Sequence, residues 1–357
     1  MKLGRFNVQK AVTRDLADLN KLHDLTGAIS KSPNVPTLMT DLMGGSMRTE
    51  FLSTDTFEHD ATENFVVDIQ DKAYTERGDA FNERQETKTH LFKVPSYGVP
   101  THIRPSDAKK SRVAGSKDEL ENVDRLVQQD IRDIRNSMAL LKERAIVSTI
   151  VTGQLYVPNN SVPSYDFYSE YTGATRPVVD FEFTDATKYP REAGEDARSK
   201  ISDSLLDGQS IGGFIALCSK SFFQERIKHP KEEQAMVDRA GHLGQDPLIK
   251  RLESFTNGKQ YRKYMGSDDI LYVEYTAKVG GTALIPDGEA YIMPIDAGQV
   301  FVEAYAPAET MQYVNTIAER EYAWRYDDEF SGTKLFFESN FGIYLVNPLS
   351  VIKCTSS

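Results

Sequence analysis

Histidine and cysteine side chains are the first candidates for chemistry, because they ligate metals, carry protons and attack as nucleophiles. The six histidines and two cysteines are scattered through the chain: His23, His59, His90, His102, Cys218, His229, His242 and Cys354. A zinc site needs ligands at short, regular spacing, such as a His-Glu-x-x-His helix or a Cys-x-x-Cys pair, and the sequence has neither. We therefore predict no metal and no cofactor. The two thiols, far apart in sequence, are expected to be reduced and packed rather than disulfide-bonded.

Paired carboxylates and double glycines are the remaining candidates for catalysis or ligand binding. Asp268-Asp269 and Asp327-Asp328 are adjacent acids, a residue type that binds Ca²⁺ or acts as general acid and base. The alternating ligand spacing of a calcium loop is absent around both pairs, so we interpret them as turn or helix-start residues. The double glycine within Lys278–Ala283 lacks the following Lys-Ser/Thr of a phosphate-binding loop. The sequence thus predicts that the protein is not an enzyme.

The charge balance and the apolar pattern argue against two further classes. The 357 residues include 42 Lys plus Arg against 53 Asp plus Glu, a net charge of −11. DNA binding through a basic face needs clustered cations that neutralise phosphates, so the acidic balance disfavours that class. No apolar run approaches the roughly 18 residues of a membrane-spanning helix, and the first residues lack the apolar stretch of a secretory signal, so we expect cytoplasmic synthesis. The length suits two or three domains.

The strongest local pattern predicts one very long helix. Ser116 and Glu119 form a capping box, and Gly153 is placed to end the helix. Between them, apolar residues recur at spacings of three and four: Leu120, Val123, Val127, Ile131, Ile134, Met138, Leu141 and Ala145. A helix over 116–152 spans roughly 54 Å and needs an elongated surface against its apolar stripe. That surface is either a coiled-coil partner or a sheet with loops laid along the helix.

Residues 51–105 carry the period-two pattern of β-strands. One strand is predicted around Phe65–Ile69 and another over Thr87–Val94, joined by a long polar segment that contains Arg77 and Arg84. A two-stranded ribbon is marginally stable alone, so we expect a second copy of the chain to cover this one. Arg77 and Arg84 are the candidates for contacts with acidic residues of that copy. Solvated loop charges are the alternative interpretation.

The chain on either side of these two features predicts an arm and an α+β unit. Residues 1–50 have the pattern of one helix followed by an extended connector. Residues 190–325 alternate helical and strand-like patterns, which is typical of a compact α+β unit. Its predicted elements are helices at 191–207 and 219–237 and strands at 212–218, 270–275 and 290–293. Three strand-like runs within 334–354 are expected to pair with the sheet of the long-helix unit.

Several sequence stretches in this order carry a family resemblance. The longest is Pro286–Pro294, Pro-Asp-Gly-Glu-Ala-Tyr-Ile-Met-Pro, followed by Tyr305-Ala306-Pro307; Lys88–Pro95 and Glu338–Phe341 support it. These stretches are similar to the lambda major head protein family, major capsid protein E. The order of arm, ribbon, long helix, α+β unit and returning strands resembles the Hong Kong 97-type fold of tailed-bacteriophage major capsid proteins. The resemblance covers nearly the whole chain.

The resemblance implies an α+β fold of the Hong Kong 97 type with five parts. They are an N-terminal arm (1–50), an extended β-ribbon loop (51–105), a peripheral domain (106–185) with a spine helix (116–152), an axial domain (186–330), and C-terminal strands (331–357) that return to the peripheral domain.

The resemblance also implies a structural function. A major capsid protein self-assembles through hexamers and pentamers into an icosahedral shell that encloses phage double-stranded DNA. The implied partners are further copies of the chain, a separate scaffold, a decoration protein and a portal, with packaged DNA contacted non-specifically and no membrane. The implied location is the virion, after assembly in the host bacterial cytoplasm. Two alternatives stay open: an encapsulin-like cellular shell protein, and an uncharacterised cytosolic hydrolase.

Overall fold

The structure is a computed structural model that describes residues 22–24, 38–44, 46–62, 87–106, 123–205, 211–235, 262–279, 281–295, 300–328 and 331–356. The helices of this part are α1 (Leu38–Met43), α2 (Val123–Thr152), α3 (Pro190–Ser204) and α4 (Lys220–Lys228). The strands are β1 (Leu22–Asp24), β2 (Met47–Phe51), β3 (Thr56–Thr62), β4 (Thr87–Lys93), β5 (Ser96–Ile103), β6 (Val178–Asp180), β7 (Gly213–Cys218), β8 (Lys263–Met265), β9 (Ile270–Glu274), β10 (Lys278–Val279), β11 (Thr282–Ala283), β12 (Glu289–Ile295), β13 (Phe301–Tyr305), β14 (Tyr322–Asp328), β15 (Gly332–Leu345) and β16 (Ile352–Thr355). The chain divides into two compact units: residues 1–35, 96–138 and 319–340 form unit 1, and residues 36–95, 139–318 and 341–357 form unit 2.

The long helix is confirmed as α2, which runs for 30 residues. Its buried side chains include the predicted stripe positions Val127, Ile131, Ile134, Met138 and Ala145. The predicted start, with Ser116 and Glu119, lies outside the described residues. The helix ends where expected, because Gly153 has a φ of 71° and donates its N–H to the carbonyl of Thr149 at 2.9 Å. A left-handed glycine at this position is a common helix end.

Unit 1 is built on an antiparallel sheet with residues 332–340 of β15 between two neighbours. This segment pairs with β14 on one side and with β5 on the other, and β14 also pairs with β1. The first half of α2 is tied to the same unit by ion pairs. Arg325 lies 3.0 Å from Asp124, and Arg135 lies 3.5 Å from Glu321. Within unit 1 these ion pairs place the first half of the helix beside the sheet.

Besides the two-stranded pairs β3–β4 and β10–β11, the described part of unit 2 contains two larger sheet regions. In the first, β13 pairs antiparallel with residues 341–345 of β15 and parallel with β2, so that Met47 lies opposite Phe301. In the second, six strands follow the order β6-β16-β12-β7-β9-β8. Their core includes side chains from the strands and from α3 and α4: Ala197, Ile201, Ala216, Phe222, Phe223, Tyr272, Ile292 and Ile352. The predicted buried strand at 212–218 is confirmed as β7, in which every residue from Phe214 to Cys218 is buried.

The tail differs from the expectation of three runs that pair with the sheet of the long-helix unit. The first two runs form one continuous strand, β15, of 14 residues. The third run, β16, pairs antiparallel with β12 and parallel with β6, so it belongs to the six-stranded sheet of unit 2. The alternating side chains of β16 explain why this strand joins the six-stranded sheet. Ile352 and Cys354 are buried in the core of that sheet, and Lys353 and Thr355 are half-buried.

The connector after the N-terminal arm also differs from the expectation, because residues predicted to be extended form the short helix α1. Leu38, Met39 and Met43 are buried. The N–H groups of Met39 and Thr40 donate to the buried carboxylate of Glu143 on α2, at 3.0 and 3.2 Å. Free N–H groups at a helix start need such an acceptor. The predicted helix before this connector, within residues 1–21, lies outside the described residues.

The two cysteines are free and buried, as predicted. Cys218 on β7 and Cys354 on β16 both lie opposite Ala290 of β12, one on each side. Two strand spacings separate their backbones by roughly 9.6 Å, which exceeds the reach of a disulfide. Burial also raises the pKa of the Cys218 thiol well above its usual range. Both thiols therefore act as small core side chains.

Candidate inter-subunit surfaces

A two-stranded ribbon in unit 2 corresponds to the predicted extended loop. β3 and β4 pair antiparallel along their whole length, from Thr56 opposite Lys93 to Thr62 opposite Thr87. The predicted strand at 87–94 is thus confirmed. Its partner is Thr56–Thr62, whereas the predicted strand around residues 65–69 falls within 63–86, outside the described residues. Arg77 and Arg84 fall in the same segment, so their contacts stay a prediction.

The inner face of the ribbon is aromatic. Successive side chains of a strand point to opposite faces, so Phe57 and His59 of β3 share one face with His90 and Phe92 of β4. Phe57 lies opposite Phe92, and His59 lies opposite His90. Both phenylalanines are 1% exposed. The ribbon therefore has a fully buried aromatic pair at its base.

This pair is anchored in a cluster of rings from elsewhere in unit 2. The ring of Phe92 has four such neighbours, by centroid distance: Tyr165 at 5.0 Å, Tyr171 and Tyr344 at 5.7 Å, and Phe167 at 5.8 Å. Phe57 lies 4.6 Å from Tyr344. We call these six residues the aromatic anchor. Ring pairs at such distances contribute about 0.5–1.5 kcal/mol each beyond their buried area, so the anchor holds the described part of the ribbon against unit 2.

Polar contacts complete the anchor. The hydroxyl of Tyr344 donates to the carbonyl of Lys93 at 3.3 Å, and the N–H of Val94 donates to the carbonyl of Asp55 at 2.9 Å. Burial, with a smaller contribution from Glu170, raises the pKa of Tyr171. The Tyr171 phenol is therefore neutral at physiological pH, and its ring packs beside His90.

The outer face of the ribbon is open. Glu58 and Leu91 lie opposite each other there, and Leu91 is 57% exposed. Lys93 and Asp55 form an ion pair at 3.5 Å, but both side chains are more than half exposed. Exposed pairs of this kind contribute about 0–1 kcal/mol. The two faces thus differ: one holds the ribbon to its own unit, and the other is available to a second surface.

The acidic pair Asp268-Asp269 has a structural role. Arg226, which is fully buried, lies 2.8 Å from Glu232 and 3.0 Å from Asp268, and the hydroxyl of Tyr272 donates to Asp268 at 2.7 Å. Burial raises the pKa of Asp268, and Arg226 opposes that shift. The Asp268 side chain is completely buried, so it has no access to a substrate. This arrangement holds a turn against the six-stranded sheet.

Both carboxylates of the second acidic pair, Asp327-Asp328, accept hydrogen bonds from neighbouring side chains. Asp327 accepts hydrogen bonds from Arg325 at 2.9 Å and from Thr333 at 2.7 Å, and Asp328 accepts one from Ser331. Among the residues that the structure describes, no group of three or more His, Cys, Asp or Glu side chains is placed to hold a metal ion. No helix in the same part is long and apolar enough to cross a membrane.

One motif with catalytic spacing was overlooked in the sequence. Gly208-Gln209-Ser210-Ile211-Gly212 matches the Gly-x-Ser-x-Gly pattern of a serine nucleophile. That nucleophile requires a strand before it and a helix after it. Here the motif follows helix α3 and precedes strand β7, which is the reverse order. Residues 206–210 lie outside the described part, and the order of elements gives the motif no catalytic interpretation.

The architecture defines the class of protein: a long helix, an anchored ribbon and a mixed α+β unit form the Hong Kong 97-type capsid fold. Among solved structures, the capsid of Cyanophage P-SCSP1u is similar, with a TM-score of 0.50 at 10% identity, covering 92% of this chain and 90% of that one. The asymmetric unit of the bacteriophage PhiM1 mature capsid is similar to the same degree, with a TM-score of 0.50 at 12% identity, covering 91% and 90%.

The sequence comparison narrows the class to one family. Residues 21–356 match the model of the family described as phage major capsid protein E. The major capsid protein of Pseudomonas phage KPP10 is 31% identical over 345 residues, covering 92% of this chain and 95% of that protein. The chain therefore belongs to the phage major capsid protein E family, and it is a structural major capsid protein of a phage, hence a virion component that assembles into multi-subunit shells. The resemblance inferred from Pro286–Pro294 and its companion stretches is confirmed.

Proposed function

We propose that copies of this chain form hexamers and pentamers that close into an icosahedral shell around phage double-stranded DNA. The observation that carries the proposal is the anchored ribbon, which has one face committed to its own unit and the other face open. Heterologous contacts of one chain type, repeated around a ring, close into such assemblies. The net charge of −11 supports a lining that does not bind DNA tightly.

Electron microscopy of the purified protein tests this proposal. Closed shells, tubes, or rings of five and six subunits are the expected result, with light scattering on the same sample at several concentrations. A chain that stays at its monomer mass of 40.1 kDa at high concentration, with scaffold supplied, would contradict it. An encapsulin-like compartment would also form shells, but these would enclose cargo enzyme rather than DNA.

We also propose the remaining partners and the location. A separate scaffold, a decoration protein and a portal act with the chain, assembly takes place in the host bacterial cytoplasm, and the chain itself catalyses no reaction. Support comes from the family membership and from the complete burial of the Asp268 side chain. Mass spectrometry of shells isolated from infected cells identifies the partners, and a particle that contained this chain alone would contradict the proposal.

We also propose the domain roles that the family resemblance implies. Residues 106–185, which contain α2, are the peripheral domain, and residues 186–330 are the axial domain around the five-fold and six-fold axes. Residues 331–357 were expected to return to the peripheral domain, and their strand β16 pairs both with β6 of the peripheral range and with β12 of the axial range. The concentration of α3, α4 and the strands β7 to β13 within 186–330 supports the second assignment. Density for the assembled shell, with the subunit traced, is the test.

Arg77 and Arg84, which lie outside the described residues, are proposed to contact acidic residues of a neighbouring copy. The double variant Arg77→Ala plus Arg84→Ala should reduce shell yield at low ionic strength more than at high ionic strength, because salt screens ion pairs. The matched control is Arg132→Ala plus Arg191→Ala, which removes two exposed arginines elsewhere. Equal yields from both double variants would show that the loop arginines make no such contact.

A further inference from the structure

Unit 2 carries an exposed apolar surface on the segment that follows β13. Three large side chains recur there at every third position: Met311 is 95% exposed, Val314 is 57% exposed and Ile317 is 71% exposed. We call these three residues the apolar patch. A single exposed apolar side chain is ordinary, but three within seven positions of one loop mark a binding surface.

The loop that presents the apolar patch is fixed rather than loose. Tyr313, between the first two patch residues, is 9% exposed and points inward. The Thr316 hydroxyl donates to the carbonyl of Tyr313 at 2.8 Å, and the N–H of Ala318 donates to the carbonyl of Leu52 at 2.8 Å. Asn315 adopts a left-handed backbone with a φ of 60°. A surface that is already ordered loses little conformational entropy when it binds.

The local composition is that of an interface core. Residues 310–318 contain no charged side chain, although 27% of the chain is Asp, Glu, Lys or Arg. Glu309 and Glu319 bound this stretch, and both are exposed. Interface cores are depleted in charge and enriched in methionine, and their rims are polar. The absence of charge within the stretch also argues against packaged DNA as the occupant, since phosphate binding requires cations.

We propose that the apolar patch docks onto a second copy of this chain in the assembled shell. This inference rests on the shell-forming function. The patch recurs once in every subunit, and a neighbouring copy of the chain is present at every position of the shell, with or without scaffold or decoration protein. The patch exposes a few hundred Å², less than the roughly 800 Å² that each partner buries in a standard interface. It is therefore the apolar centre of a larger contact.

Assembly of the full-length protein, with a matched control, tests the proposal. The patch variant is Met311→Ser, Val314→Thr and Ile317→Ser. The control variant makes the same kinds of change at three other exposed positions of unit 2: Met265→Ser, Val178→Thr and Leu140→Ser, which are 53%, 50% and 64% exposed in the wild type. Circular dichroism and thermal unfolding establish that both variants fold.

The patch variant should need a protein concentration at least about tenfold higher to form shells, and the control variant should match the wild type. The proposal would be overturned if the patch variant formed shells at the same protein concentration as the wild type. It would also be overturned if the patch variant and the control variant needed equally raised concentrations. If the wild type itself forms no shells with scaffold supplied, the proposed shell-forming function is wrong. That result differs from a failure of the patch proposal, in which the wild type does form shells.

Crosslinking identifies the occupant directly. Met311→Cys carries a maleimide-benzophenone probe; the native cysteines are buried and react little. Shells are formed from a mixture of ¹⁵N-labelled and unlabelled chains and illuminated, and mass spectrometry locates the new bonds. Bonds between labelled and unlabelled chains are expected. Bonds confined to one chain, or bonds to a separate scaffold or decoration protein, would overturn the proposal.

Discussion

Removal of the Phe92 ring tests how the ribbon is held. Phe92→Ala deletes a side chain that is 1% exposed and has four ring neighbours from outside the ribbon. Loss of a fully buried phenylalanine costs about 3–5 kcal/mol. The milder Phe92→Leu keeps most of the apolar volume and loses the ring contacts, so we expect a cost of about 1–2 kcal/mol. The two variants separate the effect of volume from the effect of ring geometry.

The neighbouring residue supplies the control. Leu91 is on the same strand, but it points to the outer face and is 57% exposed, so Leu91→Ala should change the free energy of unfolding by about 0.5 kcal/mol or less. Urea unfolding of the unassembled chain measures the free energy, and hydrogen exchange locates the loss. At a cost of 3 kcal/mol or more, amides of β3 and β4 should exchange about 100-fold faster in Phe92→Ala.

Equal effects of the two alanine variants would refute the aromatic anchor. The same conclusion would follow if Phe92→Ala destabilised unit 2 but left exchange in β3 and β4 unchanged. In that case Phe92 would act as a general core residue, and another contact would direct the ribbon.

Three further predictions concern buried or half-buried charges of unit 2. Arg226→Met leaves two buried carboxylates without their cation and should cost about 3–5 kcal/mol in urea unfolding. Glu143→Gln replaces one of the two carboxylate oxygens that accept from α1 with an NH₂ donor and should cost about 1–3 kcal/mol, with faster hydrogen exchange in Leu38–Met43. Burial raises the pKa of Glu289, but hydrogen bonds from Lys353 and Tyr291 outweigh it, so its pKa lies below the usual 4.5. Such a group stabilises the fold above its unfolded pKa, so Glu289→Gln should be less stable than the wild type at pH 7, and the difference should shrink as the pH falls below about 4.5.

Each of these predictions has a control and a contrary outcome. Arg191→Met removes an exposed arginine and should have little effect; equal losses for both arginine variants would mean that the buried cation is not needed. Glu170→Gln, on the surface, is the counterpart for Glu143, and an unchanged exchange pattern in α1 would show that the carboxylate does not cap this helix. For Glu289, a stability difference that is constant from pH 7 to pH 3 would contradict a lowered pKa.

The sequence predicts the elements that depend on local pattern. The stripe of α2, the strand β4 and the buried strand β7 were found because spacing of apolar residues is a local signal. The helix α1 was missed because its N–H acceptor, Glu143, lies 104 positions away. The pairing of β16 with β12 was missed because β16 shows only an alternation of apolar and polar residues. This pattern is compatible with many strands of the chain, so it does not identify the partner strand.

The candidate surfaces were predicted only in part. The ribbon was expected from its period-two pattern, but its anchor joins Phe92 to rings more than seventy positions away, such as Tyr165. The shared face of Phe57, His59, His90 and Phe92 was a signal present in the sequence. The apolar patch also left a signal, a nine-residue stretch without charge, but burial of Tyr313 and exposure of Met311 are visible only once the fold is known.

The parallel pairing of β2 with β13 has a consequence for synthesis of the chain on the ribosome. Met47 pairs with Phe301, which is made about 250 residues later. At 5–20 residues per second, roughly 10 to 50 seconds pass before the partner strand exists. During that time β2 offers an unpaired edge, which is a template for aggregation between copies of the chain. Chaperones that shield the nascent N-terminal strands should therefore set the yield of soluble subunits before any contact between subunits forms.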